Sequence, residues 1–128
     1  MALTREFINT IKEKADNDPG FRVSMLRSAV AAFINGEAAL GRLTLRDYVN
    51  ATIGFEGLAK GLGEFKPQSL MRMLSKDGNP RSENLSAILA YLQKHEGVSL
   101  DVVSVDKPRE LENAWTCLSD WLRWDSRL

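Results

Sequence analysis

The chain has 128 residues, enough for one domain with a buried core, and its apolar fraction of 44% and charged fraction of 27% exclude wholesale disorder. Its net charge of zero excludes a surface that is basic throughout, so a nucleic-acid binder of this composition must concentrate positive charge locally. A single cysteine and a single histidine exclude an internal disulfide and fall short of the usual zinc ligand sets.

The N-terminal segment and the cysteine content indicate the compartment. "MALTREFINTIKEK" carries charges where a signal peptide needs an apolar core, and no apolar run approaches the roughly 20 residues of a membrane span. One cysteine suits a reducing compartment. We therefore expect a soluble, cytoplasmic protein with no membrane contact and no cofactor.

Two helices are predicted at the N-terminus. The first begins at Thr4, whose hydroxyl can cap it, and its apolar residues recur at helical spacing. Asp18 as cap and Pro19 at the first helical position begin the second, which runs to about Asn35 and ends at an Asn-Gly pair. Residues 1–36 are expected to form an N-terminal helical extension.

Three further helices are predicted before the middle turn of the chain. Thr44 and Asp47 are spaced like a capping box, with Asp in place of the usual Glu or Gln, so a helix is expected to begin at Thr44 after a short helical piece. Two short helices follow, at about Phe55 to Leu62 and Pro67 to Leu74. The polar sequence "KDGNP" then predicts a turn.

One more helix is predicted, which Ser82 caps and Gly97 ends. Residues 98–128, which follow it, are predicted to form an interface. Residues 98–105 read as the one convincing strand, which needs a partner because a lone strand leaves its backbone groups unpaired. We expect a homodimer in which this strand pairs with its twin or with a partner protein's sheet edge; the alternative is an extended buried arm. An amphipathic helix rich in tryptophan ends the chain. The expected interface residues are Val98, Leu100, Val102, Trp115 and Trp121.

The two short helices satisfy the demands of a helix-turn-helix motif. Ala59 supplies a small residue for the crossing, and Gly63, four positions later, tolerates a left-handed backbone in the turn. Leu70 and Met73 give the second helix an inward face. An ordinary helical corner of an all-α protein would show the same features.

The second helix of this motif presents the residue types that read DNA. Gln can pair bidentately with adenine and Arg with guanine, and the start of the helix is where base edges are usually met. The expected base contacts are Lys66, Gln68, Ser69 and Arg72. Basic residues nearby are expected to hold phosphates, and these are Lys60, Lys76 and Arg81.

Short motifs in the same region resemble a known family. They are Gly54, Leu58-Ala59, Gly63, Leu74-Ser75 and Asp77-Gly78-Asn79-Pro80. From about Leu45 to Val102 the chain is similar to addiction-module antidote proteins, the HigA-type antitoxins of the lambda-repressor-like helix-turn-helix group. The resemblance implies a mainly α bundle of about five to seven helices, with one short C-terminal strand and a final amphipathic helix. Residues 37–97 would form its DNA-binding core, in one compact unit with the flanking segments.

The function that this resemblance implies is sequence-specific repression. Such proteins dimerise on a palindromic operator, autoregulate their own operon and in many cases neutralise a cognate toxin. The alternative is a solitary transcriptional regulator, or a protein-interaction module of the same fold that does not bind DNA. The zero net charge and the acidic residues Glu56 and Glu64 near the expected DNA face favour that module.

No catalytic site is predicted. His95 lies at a helix C-terminus, where the helix dipole favours a cation. Cys117 lies next to the apolar stripe of the last helix and fills core space. The glycines of "GLAKGLGE" follow no strand and lack the Gly-Lys-Ser/Thr ending of a phosphate-binding loop. We therefore expect that the protein is not an enzyme.

Overall fold

The computed structural model describes residues 5–106, and six α-helices account for most of them. Their bounds are α1 Arg5–Asn17, α2 Pro19–Ile34, α3 Ala38–Ala51, α4 Gly54–Leu62, α5 Pro67–Met73 and α6 Ser82–Glu96. No β-strand occurs within this part of the chain. The prediction of a mainly α-helical fold is confirmed.

Several helix ends lie where the sequence places them. The Asp18 carboxylate accepts a hydrogen bond from the Phe21 amide at 3.3 Å, and Pro19 occupies the first position of α2. Gly97 ends α6 in a left-handed conformation, with φ of +75°. That region of backbone space is open to glycine at little cost, so α6 stops there.

Two predicted caps are wrong. The break expected at Thr44 does not occur, because α3 is continuous and the Thr44 hydroxyl donates to the Leu40 carbonyl at 2.8 Å, as in a helix interior. The N-cap of α6 is Arg81, one residue before Ser82, and no side chain caps this helix. The predicted cap at Thr4 lies outside the described residues.

Side chains from each of the helices α2, α3, α4, α5 and α6 form a single buried cluster. All of its members are apolar side chains or Tyr, and α3, which packs on α2 and α4, contributes three of them. The cluster consists of Leu26, Ala29, Leu45, Tyr48, Val49, Phe55, Leu58, Ala59, Leu70, Leu74, Ile88 and Leu92. Both short helices of the predicted motif are therefore fixed by the same core as the longer helices.

A polar network fastens the N-terminal helices to the end of α6. Arg22 donates through Nε to both carboxylate oxygens of Glu96, at 2.8 and 3.1 Å, and through Nη1 to the carbonyl of Ala15 at 2.6 Å. The Tyr48 hydroxyl donates to the same carboxylate at 3.3 Å. Burial, followed by the charge and hydrogen bond of Glu96, raises the pKa of Tyr48 to about 12. Residues of α2, α3 and α6 thus meet at one carboxylate, and Arg22 joins α1 to them.

The strand expected at residues 98–105 is not confirmed. These residues form neither helix nor strand, and two of their amides bond locally: Val98 donates to the Gln93 carbonyl at 3.0 Å and Leu100 to the Gln93 side chain at 2.8 Å. A strand requires a second extended segment beside it, and residues 5–106 offer none. The alternative of a buried arm does not hold for Val102, which is 71% exposed. Trp115, Cys117 and Trp121 lie outside the described residues.

Within residues 5–106, no helix combines the length and the apolar character that crossing a bilayer requires.

Replacement of Glu96 by alanine should lower the free energy of unfolding by about 2–3 kcal/mol, because it leaves the partly buried Arg22 guanidinium without its anion. The Glu96 side chain is only 8% exposed, and that of Arg22 is 23% exposed. Urea unfolding followed by circular dichroism measures the change. Glu64→Ala, at an exposed position, serves as the charge-matched control and should change stability by less than about 0.5 kcal/mol. Equal effects of the two substitutions would contradict the prediction.

Candidate nucleic-acid interface

The turn between α4 and α5 contains the left-handed glycine that the sequence predicts. Gly63 ends α4 with φ of +77°, and its amide donates to the Ala59 carbonyl at 2.9 Å. Lys66 is extended, and its carbonyl accepts from the Ser69 and Leu70 amides, so the chain turns directly into α5. This left-handed glycine was predicted from the sequence, and the structure confirms it.

Helix α5 has an inward face and an outward face. Leu70 and the following Leu74 are fully buried, as expected, and Met73 is half-buried against them. Lys66, Gln68 and Arg72 are exposed, whereas Ser69 is half-buried. The three residues of the expected phosphate set, Lys60, Lys76 and Arg81, are exposed as well. The polar candidates therefore lie on the surface around α5, and Ser69 is the least accessible of them.

The surface around α5 carries a local excess of positive charge. A chain of zero net charge would need such an excess in order to bind nucleic acid. Between residues 54 and 81, five basic side chains stand against three acidic ones. The basic residues are Lys60, Lys66, Arg72, Lys76 and Arg81, and the acidic ones are Glu56, Glu64 and Asp77. All eight are exposed. The excess is modest, and it is concentrated on α5 and the turns at either end of it.

The turn after α5 packs against the end of that helix. The Gly78 amide donates to the Ser75 carbonyl at 3.1 Å. A Cβ atom on Gly78 would lie 2.5 Å from the Arg72 carbonyl oxygen and in still closer overlap with that of Met73. Backbone carbonyls cannot move aside as a flexible side chain would, so the Asp-Gly-Asn-Pro turn requires glycine here for space rather than for a positive φ.

Arg42 is a structural residue of this site that the sequence does not reveal. From α3 it donates through Nε to the Ser75 carbonyl at 3.0 Å and through Nη2 to the Lys76 carbonyl at 2.6 Å. Carbonyls beyond a helix C-terminus lack intrahelical partners, and a guanidinium satisfies two of them at once. Because 33 residues separate Arg42 from Ser75, no local pattern predicts this contact.

A second contact missed by sequence reasoning joins α4 to α6. The Tyr91 hydroxyl lies so close to Gly61 that any Cβ there would overlap it. The sequence pointed to Ala59 as the small residue of the motif, and Ala59 is indeed buried, but Gly61 is where the large side chain of Tyr91 lies against α4. The closely spaced glycines of "GLAKGLGE" are the sequence feature that could have predicted this contact.

His95, the one histidine of the chain, is exposed and stacks on Tyr91, with ring centroids 6.3 Å apart. Among residues 5–106, no three His, Cys, Asp or Glu side chains are grouped so that they could hold a metal ion. Comparison with protein-family models, with curated proteins and with solved structures gives no match for this chain.

Gly78→Ala should destabilise the protein by about 1–3 kcal/mol, since the added methyl group overlaps two backbone carbonyls. Gly57→Ala is the matched control, because a Cβ there meets only ordinary contact at 3.4 Å within a helix. That change should be neutral or stabilising by up to about 1 kcal/mol. Chemical unfolding of the two variants tests the difference, and a Gly78→Ala protein as stable as the parent would contradict it.

Arg42→Ala should cost about 1–2 kcal/mol of stability, because it removes a charged donor from two carbonyls at the end of α5. Arg46→Ala, at an exposed position of the same helix, removes the same charge and should cost less than about 0.5 kcal/mol. Hydrogen exchange of the amides in residues 67–78 should become faster in Arg42→Ala alone. Unchanged exchange there would show that Arg42 does not hold the turn.

Proposed function

We propose that this protein is a sequence-specific DNA-binding repressor that inserts α5 into the major groove. The observation that supports this most directly is the division of α5 into a buried apolar face and an exposed face bearing Gln68 and Arg72. An α-helix with its side chains is about 10–12 Å across, and the major groove is about 12 Å wide. The helix is therefore of a size that the groove admits.

The exposed residues divide between reading and positioning. Gln68 and Arg72 lie one turn apart, so they can reach successive base edges, with Lys66 at the helix start. Half-buried Ser69 is the weakest candidate for a base contact. Lys60 lies in the last turn of α4, and Lys76 and Arg81 flank the turn after α5, positions suited to phosphates on either side of the groove. Arg42 then acts as a positioning residue, since it fixes the backbone from which the Lys76 side chain extends.

The resemblance to addiction-module antidotes extends this proposal to the assembly. A palindromic operator requires a two-fold dimer, and residues 98–105 are the segment through which two copies would pair as strands. Val98 and Leu100 are half-buried and contact their own chain, so Val102 is the more accessible member of the proposed interface. Autoregulation of the operon and binding of a cognate toxin belong to the same proposal.

A protein-interaction module is the second candidate, and two observations favour it. Met71, on α5 itself, is 43% exposed, and apolar side chains of this kind suit a protein groove. Glu56 and Glu64 are exposed near the proposed DNA face, where they would repel phosphates. A toxin bound at this surface would prevent the protein from binding DNA there.

Fluorescence anisotropy with a duplex from immediately upstream of the coding sequence tests DNA binding. Arg72→Ala and Gln68→Ala should each weaken binding about tenfold or more, with little effect on a shuffled duplex of equal composition. Lys60→Ala should weaken binding to both duplexes alike and reduce the slope of log affinity against log salt by about one. The difference between these two patterns separates base contacts from phosphate contacts.

Lys12→Ala is the control, because Lys12 is an exposed cation on α1, outside the α4–α5 surface. It should leave both affinities unchanged. Equal affinity of the parent protein for the two duplexes, or a shallow salt dependence, would contradict specific DNA binding. Unchanged DNA affinity in a Gln68→Ala, Arg72→Ala double variant would favour the protein-interaction module.

A further inference from the structure

Helix α5 exposes one large apolar side chain on the surface proposed to meet DNA. Met71 is 43% exposed, whereas the other methionine of this helix, Met73, packs against the core. Within residues 54–81, every other large apolar side chain is buried or half-buried. None of the base contacts proposed above involves Met71.

Met71 lies beside the two main candidates for base contacts. An α-helix turns by about 100° per residue, so Met71 is displaced by about 60° from Gln68 to one side, and Arg72 by about 40° to the other. Leu70 and Leu74, which are fully buried, lie on the side opposite Gln68. Side chains three and four residues apart on a helix are neighbours. A groove that receives Gln68 and Arg72 would therefore receive Met71 as well.

The major groove offers this side chain one kind of partner. Base edges there present hydrogen-bond donors and acceptors, for which a thioether is a weak partner, and one apolar group, the C5 methyl of thymine. Contact between the methionine and that methyl group removes apolar surface of both from water. For one methyl group the gain in affinity is about fourfold.

A protein partner is the competing explanation of an exposed methionine. Sites for protein partners expose contiguous apolar patches on the order of several hundred Å². Met71 stands alone, because its neighbours on the exposed face are Gln68 and Arg72 and no other large apolar side chain between residues 54 and 81 is exposed. A single apolar side chain among hydrogen-bonding ones matches the edges of base pairs better than it matches an apolar protein groove.

We propose that Met71 is a specificity residue that contacts the methyl group of a thymine in the operator. This proposal rests on the DNA binding proposed above, and it adds thymine to the adenine and guanine that Gln68 and Arg72 would read. Met71 lies about 4.5 Å from Gln68 along the helix axis, little more than the spacing of about 3.4 Å between successive base pairs. The contacted thymine should therefore lie within about two base pairs of the position that Gln68 reads.

Replacement of thymine by uracil tests the contact, because it removes the methyl group and leaves base pairing intact. Fluorescence anisotropy compares the duplex from immediately upstream of the coding sequence with duplexes in which each thymine in turn is uracil. The parent protein should bind about fourfold more weakly when the contacted thymine is replaced. Met71→Ala should bind the thymine and uracil forms of that duplex alike. Met71→Leu, which keeps an apolar side chain of similar size, should retain the preference for thymine.

Ile8→Ala is the matched control, because Ile8 is 46% exposed and lies on α1, outside the α4–α5 surface. It should retain the preference of the parent protein for thymine. Far-UV circular dichroism confirms that each variant is folded.

Two results would overturn this proposal and leave specific DNA binding in place. Specific binding that no uracil substitution weakens would leave Met71 to a protein partner. A uracil effect that persists in Met71→Ala would assign that effect to DNA shape. By contrast, equal affinity of the parent protein for its own duplex and a shuffled one would overturn the proposed function itself, and the thymine contact with it.

Discussion

The presentation of α5 depends on how its C-terminal end is held. A helix of seven residues is too short to be stable alone, so its direction must come from the core beneath it and the turns at its ends. The Asp-Gly-Asn-Pro turn lies directly against the last carbonyls of α5, which is possible only because residue 78 has no side chain. Arg42 then satisfies the two carbonyls that follow. Because these contacts hold α5 in one orientation, its polar face is exposed to solvent.

The hydrogen bonds around Glu96 hold the C-terminal end of α6, as the turn and Arg42 hold that of α5. One carboxylate accepts hydrogen bonds from Arg22 and Tyr48, and Arg22 also bonds to the end of α1. Burying an ion pair carries a desolvation penalty that offsets much of its attraction. The clearer consequence of this ion pair is geometric. Glu96 is the last residue of α6, so the contact fixes the point from which residues 98–106 continue.

Two chemically different surfaces result. The α4–α5 surface is polar, with five basic and three acidic side chains between residues 54 and 81. A groove of about 710 Å³ between α2 and residues 98–105 is walled mainly by valine and isoleucine, with Arg27 and Asp101 also in its lining. No residue of α4 or α5 lines this groove, so the two surfaces are separate.

The sequence by itself determined most helix positions, the left-handed turn at Gly63 and the inward face of α5, because these follow from periodicity and from residues close together in the chain. It misplaced a helix start at Thr44, where the hydroxyl bonds back within α3, and alternation in residues 98–105 predicted an extended backbone without providing a partner for a strand. Only the tertiary structure decided that Arg42 holds the turn after α5 and that Arg22 meets Glu96. Those partners are 33 and 74 residues apart, and packing alone brings such distant groups together.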